Sequence, residues 1–191
     1  MPRGRKRDED ARQRILDATF ELVGSRGDGK VGINEIADAA GVAKQTIYRW
    51  WPSRTAVVLD ALVAGTMRAT PFPETEDLRA DFAAHLRGVI RLFNSPTGSL
   101  IRELLAESQT DRDIGHEFRD RFWQTRRELS KARLARGVEL GQVRPGLDHE
   151  LVLDAIYGPL WVRLFVGHLP MRPADAARLV DVIWSGISNE A

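Results

Sequence analysis

The sequence predicts an all-α chain of about nine helices: a three-helix unit over residues 1–52, a connecting helix over 53–70 and a C-terminal bundle over 71–191. Three observations carry this. Residues 33–54 hold two short apolar-striped segments separated by Gly41. Pro71-Phe72-Pro73 places two prolines unsuited to a helix interior at one point and marks a boundary. Beyond it, five segments repeat apolar residues at helical spacing.

Met1 to Arg7 reads as a polar arm whose Arg3, Arg5, Lys6 and Arg7 suit phosphates or a minor groove, with a frayed terminus as the plain alternative. Asp10 and Gln13 have capping-box spacing for a first helix that carries Ile15, Ala18 and Leu22 on one stripe, Leu16, Phe20 and Val23 beside it, and ends at Gly24. Gly24, Gly29 and Lys30 match part of a phosphate-binding loop. A helix instead of a strand precedes them, however, and Val31 stands where Ser or Thr must reach a metal, so they read as a turn.

Ile33, Ile36, Ala37 and Ala40 fall at i, i+3, i+4 and i+7, one apolar stripe on a short helix. Gly41 stops that helix, because glycine enters the left-handed cap conformation without strain. Ala43 to Trp51 then forms a second helix that buries Ile47 and Trp51 and turns Lys44, Gln45, Thr46, Tyr48 and Arg49 outward. Pro52 disfavours helical geometry at Trp51 and ends it. The outward face holds an amide, hydroxyls and cations but no carboxylate, the form of a helix-turn-helix whose second helix reads base edges. Ser53 caps a fourth helix with Ala56, Leu59, Val63 and Met67 at helical spacing.

In the bundle, the first helix spans about Glu74 to Asn94 and buries Leu78, Phe82, Leu86, Val89 and Phe93; Ser95-Pro96 starts the second, which carries Leu100, Leu104 and Leu105. A long third helix from about Asp111 to Leu140 aligns Ile114, Phe118, Phe122 and Leu129, and Gly141, Pro145 and Gly146 supply the next turn. The last two, about His149 to His168 and Pro173 to Asn189, are apolar on nearly every side. One core-facing stripe does not require that, so they are read as burying a second face against a second copy, with a place at the centre of a larger monomer as the alternative. The interface residues expected are Tyr157, Leu160, Trp161, Leu164, Phe165, Val180, Ile183, Trp184 and Ile187.

The run from Gly41 to Arg54 resembles the recognition segment of the TetR family of transcriptional repressors: a Gly-Val turn, Thr-Ile-Tyr, an aromatic, a Pro-Ser step and a basic residue. Gly32 departs from the usual Ser or Thr cap, and Arg54 replaces the usual Lys with charge kept. The resemblance implies a homodimer on a near-palindromic double-stranded DNA operator, paired through its last two helices and moved off register by an unknown small-molecule effector. It puts Lys44 and Gln45 at base-reading positions, where Lys donates to guanine O6/N7 and Gln pairs with adenine. Asn34 adds a base contact, and Thr46, Tyr48, Trp50 and Arg54, with Arg49 beside them, take phosphate-contacting or framework positions. Candidates for an effector pocket are Phe82, His85, Leu86, Phe93, Arg119, Phe122, Trp123 and Trp161, for each of which a plain core role is the simpler reading.

Composition excludes more than it identifies. Residues 1–55 carry 11 Lys+Arg against 8 Asp+Glu, and the rest 17 against 19, a mild basic bias at the N-terminal end. With 0 cysteines there are no disulfides or thiolate sites, and no run approaches a membrane span or a signal peptide, so a cytoplasmic chain is expected. His85, His116, His149 and His168 have no metal-ligand spacing, no Gly-x-Ser-x-Gly turn occurs, and neither an enzyme nor a cofactor is expected. The alternative is a helical adaptor that binds another protein through its apolar last helices, without DNA.

Overall fold

Apolar spacing and short polar caps set the helices of the computed structural model, which describes residues 3–26 and 31–189. They are α1 (Arg3–Arg26), α2 (Ile33–Ala40), α3 (Lys44–Trp50), α4 (Arg54–Ala69), α5 (Leu78–Phe93), α6 (Pro96–Glu107), α7 (Arg112–Glu117), a π-helical segment (Phe118–Trp123), α8 (Gln124–Glu139), α9 (His149–Val166) and α10 (Asp175–Ile187). Asp77, Asp111 and Asp148 each accept backbone N–H bonds at the starts of α5, α7 and α9. The phosphate-loop residues Gly29 and Lys30, and the side chains of Arg3, Arg5, Lys6 and Arg7, lie outside the described residues.

Two expectations about α1 are corrected. The arm is helical from Arg3, so Asp10 and Gln13 lie inside the helix; Gln13 does not cap it but donates one turn on to Asp17 Oδ1 at 2.9 Å. Helix α1 also continues past Gly24 to Arg26.

The helices group into two compact units, one of residues 1–68 with 95–124 and the other of 69–94 with 125–191. Packing therefore joins α6, α7 and the π-helical segment to α1–α4, whereas sequence patterning places everything after residue 71 in one bundle. In the second unit α5 and α10 pack along one another and α9 contributes Leu153, Ile156 and Leu160 to the same core.

The long third helix of the bundle keeps its length but not its predicted face. Phe118 and Phe122 are buried as expected, with ring centroids 5.3 Å apart, but Leu129 is exposed and Arg127, Ser130 and Leu134 are buried in its place. The π-helical segment explains this. Its wider turn inserts one residue, which rotates everything beyond it by about 100° relative to a continuous 3.6-residue helix.

Asp81 and His85 are among the polar groups buried in the second unit. Asp81 is 2% exposed and accepts from Thr75 N at 2.9 Å, from Thr75 Oγ1 at 2.7 Å and from the Arg133 guanidinium. His85 stacks on Phe72 at 4.4 Å, meets the Tyr157 ring edge-on at 6.1 Å and lies with Nδ1 3.4 Å from the Pro71 carbonyl oxygen. Burial, with the nearby Arg126 guanidinium second, lowers its pKa to about 4. Burial likewise pushes the Tyr157 hydroxyl up to about 12, so it stays protonated opposite Ser130 Oγ at 2.9 Å.

The lowered His85 pKa has a defined sign. The unfolded chain takes the proton first, so stability is full above about pH 6.5 and falls as pH drops toward 4, by about 3 kcal/mol at the lower limit. Urea titrations between those limits should show this loss in the wild type and a flatter profile in His85→Leu; parallel profiles would remove His85 as the cause.

The inner and outer faces of the last two helices differ from the expected ones. Leu160, Val180, Trp184 and Ile187 belong to the chain's own core, as does the buried Leu164. Tyr157 is held inward by Ser130, and Trp161 meets Phe93 at 4.9 Å. Of the expected interface set Phe165 is exposed and Ile183 half-buried. The exposed apolar residues of these two helices are instead Leu151, Ala155, Val162, Phe165 and Val166 on α9 and Val182 on α10.

Candidate nucleic-acid interface

The turn between α2 and α3 is built by backbone geometry. Gly41 has φ 63° and ψ 44°, and the N–H groups of Gly41 and Val42 donate to Asp38 O at 3.2 Å and Ala37 O at 3.0 Å. Ala43 is extended at ψ 149°, and its carbonyl accepts from Thr46 N at 2.9 Å to open α3. At the head of α2 the Gly32 N–H donates to Glu35 Oε2 at 2.8 Å, so the Glu supplies the cap that a glycine cannot.

Ile47 fixes the inner side of α3, being fully buried against α2, whose Ile36, Ala37 and Ala40 are buried too. Trp51, at φ −129° before Pro52, leaves the helix and turns into the core. Ser53 Oγ then accepts from Ala56 N at 3.0 Å and starts α4. Seven residues of α3 are thus held by one buried side chain within it and by anchored residues at both ends.

The outer side carries the polar and aromatic side chains that the spacing puts there. Lys44, Gln45, Tyr48, Arg49 and Trp50 are exposed, Thr46 and Arg54 are half-buried, and Asn34 is exposed in the first turn of α2. Trp50, 37% exposed, lies on the surface while Trp51 fills the core. Arg49 pairs with Asp8 of α1 at 2.8 Å and lies 5.8 Å from the Trp50 ring centroid. This ion pair is exposed and weak enough for phosphates to compete with it.

The residues expected to line an effector pocket are divided. Phe82 and Leu86 are core residues of the second unit, where Phe82 lines a closed apolar seam with Ile156, Val180, Ile183, Trp184 and Ile187. His85 and the Phe93–Trp161 pair belong to that unit as well. Arg119 is exposed, with its guanidinium 3.3 Å from His116 Nδ1, and stands with Phe122 and Trp123 in the first unit.

Sequence reasoning missed Asp60. Its carboxylate accepts from Trp51 Nε1 at 2.8 Å and from Arg121 at 2.9 Å. It also missed the Asp81–Arg133 pair, although Asp81 sits among Leu78, Phe82 and His85 on the buried stripe, and a carboxylate there demands a buried cation.

Residues 15–61 match the model of bacterial regulatory proteins of the tetR family, and residues 72–183 match that of the tetracyclin repressor-like C-terminal domain. The chain is 37% identical over 164 residues to the uncharacterized HTH-type transcriptional regulator YdeS of Bacillus subtilis, covering 86% of this chain and 83% of YdeS. The crystal structure of the TetR family transcription regulator SCO0332 superposes with a TM-score of 0.86 at 33% identity, covering 93% of this chain and 98% of that one. FadR of Bacillus subtilis, solved in complex with stearoyl-CoA, shares the fold at a TM-score of 0.64 and 18% identity, over 92% of this chain and 98% of FadR. With its helix-turn-helix and the C-terminal domain both matched, the chain belongs to the TetR family of DNA-binding transcriptional regulators.

Proposed function

We propose that this regulator is a ligand-responsive repressor that occupies a near-palindromic operator as a homodimer, with α3 of each copy in the major groove. The observation that carries the reading is the outer face of α3, where Lys44, Gln45, Tyr48 and Arg49 are exposed together on a helix that contributes no carboxylate of its own, on a frame fixed by Ile47 and Trp51. Lys44 and Gln45 near the start of α3 read bases, with Asn34 adding a contact. Thr46, Tyr48, Arg49, Trp50 and Arg54 hold the sugar-phosphate backbone.

Two glycines support the homodimer. Gly137 is crowded by the chain's own packing, since a Cβ there would lie 2.2 Å from Leu78 Cδ2. Gly158 on α9 and Gly186 on α10 have no such crowding: a Cβ at either meets nothing within 4 Å. Each costs a helix about 1 kcal/mol relative to Ala. A second copy lying across the exposed face of Leu151, Val162, Phe165, Val166 and Val182 gives these glycines a use, close approach of the partner's helices.

The effector reading rests on the C-terminal domain. FadR, which shares the fold, is solved in complex with stearoyl-CoA, and this supports a small-molecule effector for this chain. The effector of this chain acts by binding more tightly to a dimer whose α3 helices no longer match successive major grooves. No described helix is long and apolar enough to cross a membrane.

Substitution at α3 tests the reading. Lys44→Ala and Gln45→Ala should each cost about 1–3 kcal/mol at one base pair per half-site and relax preference there. Equal losses on operator and random DNA would contradict base reading. Arg54→Ala should weaken binding to every sequence and lower the slope of log affinity against log salt by about 1 for each phosphate that Arg54 neutralises; an unchanged slope means that Arg54 neutralises none.

A further inference from the structure

One carboxylate ties the end of α3 to three other elements. Trp51 is the first residue beyond α3, its backbone N–H still donating to Ile47 O at 2.9 Å, and its side chain is 1% exposed. The indole Nε1 donates to Asp60 Oδ2 at 2.8 Å. The other oxygen, Oδ1, accepts from Arg121 in the π-helical segment at 2.9 Å, and Arg12 of α1 lies 3.8 Å from Oδ2 and 5.6 Å from the Trp51 ring centroid. One turn before Arg121, Glu117 Oε2 stands 3.5 Å from Ser53 Oγ, the cap of α4. Only Trp51, Pro52 and Ser53 separate α3 from α4. A shift of the indole therefore moves the last turn of the reader.

We propose that Asp60 is a positioning residue for DNA recognition: it fixes the angle of α3 through Trp51, and Arg121 fixes Asp60, so that the π-helical segment belongs to the DNA-reading device. This rests on the reading of α3 as the recognition helix. The physical basis is geometric. A carboxylate with both oxygens engaged by directed donors has one orientation, and the hydrogen bonds to it are charge-assisted. Removal of Arg121 releases Oδ1 and leaves Arg12 as the cation beside Oδ2, so the carboxylate can turn from the indole toward Arg12. The surrounding apolar core keeps Trp51 buried but no longer fixes its angle.

Operator and random-DNA affinities of Arg121→Gln, Trp51→Phe and the double variant, at several salt concentrations, test the proposal. Each single variant should bind operator roughly 2- to 30-fold more weakly. Random-DNA affinity and the salt slope should stay unchanged, because every phosphate-binding side chain is still present. The double variant should match the weaker single one, since both act on the same carboxylate, and Arg121→Lys should recover part of the loss. A variant pair whose melting temperature falls while operator affinity holds would overturn the proposal, and so would an Arg121→Gln slope lower by about 1, the mark of a direct phosphate contact. Gln45→Ala in the same assay separates the two levels. If it leaves sequence preference intact, the reading of α3 fails and this inference with it; if it relaxes preference while Arg121→Gln and Trp51→Phe bind operator normally, this inference alone fails.

Discussion

Val162→Glu is expected to dissociate the proposed homodimer and abolish tight operator binding while each monomer stays folded. Val162 is 52% exposed in the single chain, so a carboxylate there meets water and costs the protomer little. In a two-fold interface the substitution enters twice and buries two like charges in an apolar surface, at a cost of several kcal/mol. A monomer reaches only one half-site and forfeits the linkage gain of about 10²–10⁴ in affinity. Sedimentation and operator binding should fail together, with the helical circular-dichroism spectrum retained. A dimeric Val162→Glu protein with normal operator affinity would place the interface on another face. The sequence alone recommends Leu164→Glu for this purpose, but Leu164 is buried in its own chain and a charge there would confuse unfolding with dissociation.

Asp81→Ala should produce the largest loss of stability. It strips the carboxylate from Arg133, whose guanidinium keeps the Thr75 carbonyl at 3.2 Å, lies 5.8 Å from the Phe72 ring centroid and has an Nε that is buried with no hydrogen-bond partner among the described residues. Breaking such a pair from one side costs about 3–5 kcal/mol, because a charge is left without compensation. For a chain of this size that lowers the melting temperature by roughly 6–20 °C. Replacing both residues, Asp81→Leu with Arg133→Met, should recover much of the loss, since no charge remains buried. A melting point for Asp81→Ala within about 2 °C of wild type, less than 1 kcal/mol on the same scale, would show that water reaches Arg133 and screens it.

What the sequence made readable was local. Gly41, Pro52 and Ser53 act on their own neighbours through a positive φ, a restricted preceding residue and a cap, so the motif from residue 33 to 54 stands where its spacing put it. The same period turned Lys44, Gln45, Tyr48 and Arg49 outward and Ile47 and Trp51 inward, as the structure has them. Features that depend on distant partners were not readable. Asp60 meets Arg121 across 61 positions and Asp81 meets Arg133 across 52, and no spacing rule links them. The face of α8 was misplaced at the π-helical segment, whose extra residue turned Leu129 outward. In α9 and α10 apolar residues surround the helix, so periodicity could not say which side faces the chain's own core. Only packing separated Leu160 and Trp184 from Val162 and Val182.

That two copies of α3 read one double-stranded site is tested most directly by selecting bound fragments from a random DNA pool with the purified protein at about 0.1 M salt, where surface charge is screened over roughly 10 Å. A dimeric reader should enrich a near-palindrome with half-site centres about 34–36 Å apart. The same selection with Gln45→Ala should lose preference at one symmetric pair of positions. A pool that stays as random as its input, or converges on a single asymmetric half-site, would contradict paired reading by α3.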